Sequence, residues 1–360
     1  MKIVKATRKF ENWLGKRTRL VKSDLDLKHQ LMAEDSFSFL RGTFYRWAQV
    51  WEKLCPGLAR APEVLAVGDL HVDNFGTWRD DEGRLVWGVN DFDEVYPMPY
   101  TNDLVRLSVS AHFAAAAGHL KIRGAVVSKA ILDGYVASLR SGGRPFVLEE
   151  HQPWLRAIAI DELRSPERFW NKMDQLPTVQ DIPKSALKAL QSMLPERGMD
   201  FRVAHRVAGV GSLGHERYVA IADWHGDRIA RETKAITPSA CVWACGQKGS
   251  ERILYEEILE NACRDPDPFV RMRGRWLIRR LAPDCSRIEL TALPAKVDEK
   301  RLLESMGFET ANIHFGSGGA MRAVRRDLAR RGKGWLHEAM KVMGESVTED
   351  YEDWCKTHAG

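Results

Sequence analysis

The chain has 360 residues, a net charge of +5, a pI near 8.8, and 44% hydrophobic and 29% charged residues. These are ordinary globular values. They allow two lobes with a sizeable core and leave a mild preference for anionic ligands, without the dense Lys/Arg stripe of a nucleic-acid binder. The basic runs Lys2–Arg8 and Arg322–Lys333 read as solvated helix faces. Cys55, Cys241, Cys245, Cys263, Cys285 and Cys355 are scattered, and no Cys or His pairs stand at metal-ligand spacing, which speaks against zinc. The N-terminus lacks the apolar core of a signal peptide, and no apolar run reaches about 18 residues. The expectation is therefore a cytoplasmic protein without a membrane span.

In chain order, residues 1–60 read as helix, with Phe37, Leu40, Phe44, Trp47, Val50 and Trp51 at helical spacing. Leu65–Val67 reads as a strand feeding a loop over 68–78. Asp81-Glu82-Gly83 marks a hairpin tip before a strand at Leu85–Asn90, and an apolar, buried helix follows at Asn102–Leu120. Broken helical patterns run to 195. Strands are expected at 201–206, Glu216–Ala222, Arg228–Ile236, Trp276–Leu281 and Arg287–Leu290, a helix at 250–262, and helices again from 298. The predicted organisation is an N-terminal helical segment (1–60), a helical lobe with the acidic loops (61–198), a β-rich lobe (199–295) and C-terminal helices completing the helical lobe (296–360). The fold class is α+β.

Two acidic segments carry the chemistry. In Gly68-Asp69-Leu70-His71-Val72-Asp73-Asn74-Phe75 a carboxylate and an amide stand five residues apart in a loop. Val89-Asn90-Asp91-Phe92-Asp93-Glu94 ends a strand with an acidic cluster. Phosphoryl transfer needs a carboxylate to take the acceptor's proton, and an Asn and an Asp to hold Mg²⁺ against ATP phosphates. Asp69 is the candidate base, and Asn74 with Asp91 or Asp93 the candidate metal ligands. His71 either orients Asp69 or Asn74 or is an ordinary loop hydrogen-bonder. Each segment alone would equally suit a turn or helix cap; the two together, each behind a strand, favour a site. Asp103 starts a helix and could brace the first loop.

Gly209-Val210-Gly211-Ser212-Leu213-Gly214 matches G-x-G-x-x-G. A dinucleotide fold would follow it with a helix, whereas Glu216–Ala222 reads as a strand. A glycine loop between antiparallel strands suits backbone amides covering phosphates, and Lys234 on the third strand is placed for the α- and β-phosphates. The competing reading is a tight hairpin and a solvated lysine. An acidic partner for Lys234 is expected from the following helix: Glu251, Glu256 or Glu257.

The strings GDLHVDNFG, NDFDE, NDLVRL and GVGSLG with a following lysine resemble the bacterial domain of unknown function 2252, over most of the chain from about residue 36. The first two are also similar to the catalytic loop and metal aspartate of aminoglycoside phosphotransferases. The resemblance implies a protein-kinase-like, two-lobe fold. Its motif order is circularly permuted, since Gly209 to Lys234 follow Asp69 to Asp91, and Val67 replaces the histidine usual before the loop glycine. The expected ligands are ATP, Mg²⁺ and an unspecified hydroxyl acceptor, small molecule or protein. A segment near 290–295 is expected as the interlobe hinge. A pseudokinase and an AMP transferase would use the same groups. A metallophosphoesterase would use Asp69-Leu70-His71, but the chain has no Asn-His pair to complete such a site.

Overall fold

Helical spacing organises the N-terminal end of the computed structural model, which describes residues 1–148, 152–159, 165–246, 249–285 and 298–358. Helix α1 (Ile3–Leu14) buries Ile3, Ala6, Phe10, Trp13 and Leu14 along one face. Helix α2 (Lys22–Glu34) follows, then α3 (Ser36–Gly42) and α4 (Phe44–Leu54). Asp35 caps α3 by accepting from the Ser38 amide at 2.8 Å. The apolar stripe from Phe37 to Trp51 spans these last two helices, which break at Thr43. Phe37, Leu40, Phe44, Trp47 and Trp51 are buried, and Val50 is half-buried.

Two strand pairs come next. β1 (Glu63–Ala66) pairs antiparallel with β4 (Tyr96–Pro99), and β2 (Phe75–Arg79) with β3 (Leu85–Val89). The loop expected over 68–78 thus stops at Asn74, because Phe75 onward is paired with β3. β4 had no strand signature: Pro97 and Pro99 break the pattern, and only its pairing with β1 holds it extended. β5 (Phe146–Val147) adds an edge to β3. The Asp80 carboxylate holds the hairpin turn by accepting from the Glu82 and Arg84 amides at 3.0 and 2.8 Å.

Helices α5 (Thr101–Ala116), α6 (Ala125–Ser141), α7 (Pro153–Ala159), α8 (Pro166–Asp174) and α9 (Lys184–Gln191) lead to a second β region. That region is an antiparallel sheet of order β6-β7-β8-β10-β9, from β6 (Arg202–His205), β7 (Arg217–Trp224), β8 (Asp227–Ala235), β9 (Arg271–Arg273) and β10 (Trp276–Leu281). Between β8 and β9 lie α10 (Ala240–Ala244) and α11 (Tyr255–Asn261), and α12 (Glu299–His314), α13 (Met321–Arg330) and α14 (Trp335–His358) end the chain. The strand expected at Arg287–Leu290 and the hinge near 290–295 lie outside the described residues. The fold is mixed α+β with antiparallel sheets. Among the described residues no helix is long and apolar enough to cross a membrane.

Register gives the five-stranded sheet two different faces. Tyr218, Ala220, Ala235, Trp276 and Ile278 point to one side and bury Ala186, Ala189 and Leu190 of α9. Arg217, Glu232, Lys234 and Arg279 share the other side, because Lys234 stands opposite Arg217 and Glu232 opposite Arg279. Farther along that side Val219, Ile221 and Ala230 pack on Met173 of α8. The sheet's apolar cover therefore begins with α8 and α9, before the first of its strands.

The main core joins the N-terminal helices, α5, α6, α10, α12 and α14. Its tightest contact is α6 on α12. A Cβ on Gly134 would lie 1.8 Å from Glu304 O, and one on Gly307 1.9 Å from Ile131 O. Each helix thus presents a glycine to the other's backbone. Glu309 on α12 reaches under the hairpin, accepting from the Val89 amide at 3.3 Å and from Asn312 Nδ2 at 2.8 Å. Burial pushes its carboxyl up to about 7.

Gly134→Ala and Gly307→Ala should each cost about 1–3 kcal/mol by forcing the helices apart, read as a lower urea midpoint; an unchanged midpoint would mean the contact is looser than described. Glu309 holds its proton in the folded protein where the unfolded chain has lost it. Stability should therefore fall as pH rises from about 4.5 through about 7. Glu309→Gln should flatten that part of the stability–pH curve, and an unaltered slope would refute the assignment.

Candidate active site

The paired strands set the two acidic loops side by side. The chain leaves β1 through residues 67–74 into β2, and leaves β3 through 90–95 into β4, so both loops are bracketed by the same two pairings. The Asn90 amide donates to Asn74 O at 2.9 Å. At Gly68 φ is +80°, and a Cβ there would lie 2.4 Å from Glu94 O. Only glycine combines that conformation with so close a crossing.

Helix α5 braces the first loop. Asp103 Oδ2 accepts from the Val67 amide at 2.7 Å and Oδ1 from the Gly68 amide at 3.0 Å. Asn102 Nδ2 donates to Gly68 O at 3.2 Å, and His314 Nε2 lies 3.1 Å from Asp103 Oδ2. One turn on, the wholly buried Arg106 sets Nε 2.7 Å and Nη2 2.5 Å from Asp69 Oδ1. Its guanidinium also lies over the Phe44 and Trp47 rings, at 5.0 and 4.9 Å. Burial raises the Asp69 carboxyl above its ordinary range, and Arg106 opposes that rise.

Across a 3-10 turn at Val72–Asn74, His71 and Asn74 cap each other, with the His71 amide donating to Asn74 Oδ1 at 2.6 Å. His71 thus serves the loop itself. The Asn74 carbonyl oxygen has a second lone pair beyond that bond.

The glycine segment lies over these loops. Gly209, at φ +75°, opens a 3-10 turn at Val210–Ser212. A Cβ on Gly211 would lie 3.5 Å from Asp69 Oδ2. Gly209, Gly211 and Ser212 line one cleft with Asp69, His71, Asn74, Asp91, Asp93 and Glu94, enclosing about 820 Å³ including its solvent-open part. Gly214 instead ties the turn to α2. At φ +96° its Cα faces Leu25, where a Cβ would come within 2.4 Å, and its carbonyl accepts from the Val21 amide at 2.9 Å.

Lys234 stands behind the acidic loop, ion-paired with Asp93 and 3.7 Å from Asp91 Oδ1. Burial pushes Asp93 and Lys234 toward their neutral forms while their pairing pulls the other way. Glu251, Glu256 and Glu257, the expected partners of Lys234, bind elsewhere. Glu251 pairs with Arg17, Glu257 with Arg252, and Glu256 accepts from the Met272 amide. Helix α11 packs against β9 and the 315–320 turn, and its Tyr255 ring meets Phe92 of the acidic loop at 5.7 Å. The carboxylate within the sheet is Glu232, which is buried and binds Arg206, Arg217 and Arg279; Arg217 goes on to donate to Ser212 Oγ at 2.6 Å.

The cleft also holds groups the sequence did not single out: Lys28, Arg41 and His215. Burial lowers His215 to about 4. Lys28 comes from α2, which is tied to the glycine region by the Val21 amide bond to Gly214 and by Asp24 Oδ2, 3.0 Å from His205 Nε2. Nothing in the pattern of 1–60 points that far across the chain. Arg106 did have a signal, being one helical turn beyond Asp103 on the same face.

Residues 19–165 match the family model described as an uncharacterized protein conserved in bacteria (DUF2252). That span holds both acidic loops, the α5 brace and Lys28, and ends before the glycine segment. No curated protein and no solved structure matches the chain.

Arg106→Met would leave Asp69 buried without its cation and should cost about 3 kcal/mol in chemical denaturation. Adding Asp69→Asn should recover much of that loss. A single-variant cost below about 1 kcal/mol would mean the pair does not hold the loop.

Proposed function

We propose that the cleft binds ATP with Mg²⁺ and transfers the terminal phosphoryl group to a hydroxyl acceptor, on a protein-kinase-like, two-lobe fold whose parts occur in permuted order. The observation that carries this reading is convergence. Asp69, Asn74 and Asp91, from one part of the chain, line the same cleft as Gly209–Ser212, from another, with Lys234 paired to the acidic loop from behind. Phosphoryl transfer is mostly positioning and electrostatics, and these are the group types it requires.

The roles divide by position. Asp91 and Asn74, with Asp93 beside them, would hold Mg²⁺, which neutralises phosphate charge when bound. The donor set suits a hard cation: all are carboxylate or amide oxygens, and among the described residues Asp93 Oδ1 is buried without a hydrogen-bond partner. Among the described residues no three His, Cys, Asp or Glu form a metal-ligand group, and phosphate oxygens would complete the shell. Backbone amides of the glycine turn would cover the phosphates, and Lys234, held by Asp91 and Asp93, would lend its charge from behind the acidic loop. The acceptor oxygen bonds to the γ-phosphorus as the bond from that phosphorus to the bridging oxygen breaks. ADP leaves with the electron pair, and the hydroxyl proton passes to Asp69 Oδ2, since Oδ1 is engaged by Arg106. The raised proton affinity of the buried Asp69 suits a base.

A second reading, nucleotide binding without turnover, draws on the same ion pair. An aspartate clamped by Arg106 is a restrained base, and the Asn74 oxygen already caps its loop.

Asp91→Asn should abolish Mg²⁺-dependent ATP binding in titration calorimetry; an unchanged metal-dependent affinity would remove Asp91 as a ligand. Asp69→Asn should bind ATP but release phosphate at least about 100-fold more slowly than wild type. Equal loss of both properties would count against Asp69 as the base. Pyrophosphate in place of phosphate would identify AMP transfer, and binding with neither product the non-catalytic reading.

A further inference from the structure

Lys28 lines the cleft, and among the described residues it has no carboxylate counter-ion. It is 7% exposed, and its Nζ donates to Gly211 O at 3.0 Å. Among the described residues no carboxylate comes within ion-pair distance of it. Glu11, Glu94 and Asp69 act on it only from farther off, and burial lowers its proton affinity. A backbone carbonyl could be satisfied by any neutral donor. A buried ammonium with two of its three N–H groups unused is costly unless an anion joins it. Lys234 differs, because Asp91 and Asp93 already supply its counter-charge.

The position of Lys28 names the anion. Its carbonyl partner belongs to Gly211, the residue whose missing Cβ would lie 3.5 Å from Asp69 Oδ2. Lys28 is therefore at the Asp69 end of the cleft, whereas Lys234 meets Asp91 and Asp93 from behind. A phosphoryl group transferred to a hydroxyl that Asp69 deprotonates must lie at the Asp69 end. Building on the phosphotransfer reading above, we propose that Lys28 forms a subsite for the terminal phosphate of a nucleoside triphosphate, delivered by α2 from the N-terminal helices. Lys28 supplies charge to the group in transfer, and Lys234 to the inner phosphates.

The test compares ATP and ADP, each with Mg²⁺, by titration calorimetry on the full chain. Wild type should prefer ATP by about tenfold or more, the strength of a charge-assisted contact. In Lys28→Met, and in Lys28→Gln, which keeps a donor for Gly211 O but no charge, the preference should fall below about threefold. In Lys28→Arg it should be largely retained. Phosphate release should slow in the Met and Gln variants beyond what their ATP affinity explains. Equal wild-type affinities for ATP and ADP would overturn the subsite without recourse to any variant. So would Met and Gln variants that weaken ATP and ADP alike, since that is what loosening the glycine turn alone would do. Failure of wild type to bind either nucleotide is a separate result and removes the phosphotransfer reading itself.

Discussion

The contact between Lys234 and the Asp91–Asp93 pair joins two regions of the chain that are far apart in sequence. Neither side could be buried alone, since an isolated carboxylate or ammonium in the interior is strongly unfavourable. The acidic loop needs cations, and the polar face of the sheet supplies them: Lys234, with Arg206, Arg217 and Arg279 around the buried carboxylate of Glu232. Bringing the sheet's charged face against the acidic loop satisfies both and leaves the glycine turn above Asp69.

The rest of the cleft follows from backbone geometry. Two antiparallel pairings bracket the acidic loops, Gly68 lets them cross, and Asp103 and Arg106 fix the first loop from one helix. Helix α2 adds a tie from the opposite side through Val21, Asp24 and Lys28. The charges around the cleft are uneven: among the described residues Lys234 is matched by carboxylates, while Lys28 has none within ion-pair distance.

Much of this was legible in the residues. The alternation at 217–222 and 228–235, the hairpin tip at 80–84 and the apolar stripe of α5 all appear at or near their expected positions, because local periodicity and turn chemistry determine them. What local pattern does not carry is pairing. β4 is a strand only because β1 lies beside it, and the loop at 68–78 shortens because Phe75–Arg79 finds β3. Analogy expects the partner of Lys234 on the following helix, but the acidic loop supplies it through Asp91 and Asp93. Lys28 was invisible for a similar reason: one lysine in an amphipathic helix carries no mark of the glycine turn it meets. Asp69, Asn74, Asp91 and Gly211 stand out by their spacing along the chain, and the fold brings them to one cleft.

The central claim is that the two regions form one nucleotide site. The most direct measurement is the melting temperature of the full chain with ATP, with and without Mg²⁺. A ligand at about 100 times its Kd stabilises the folded state by about 2.7 kcal/mol, enough for a clear upward shift. The account predicts that shift with ATP and Mg²⁺ together, and a much smaller one with ATP alone. An unchanged melting temperature with ATP and Mg²⁺ at millimolar concentration would contradict it.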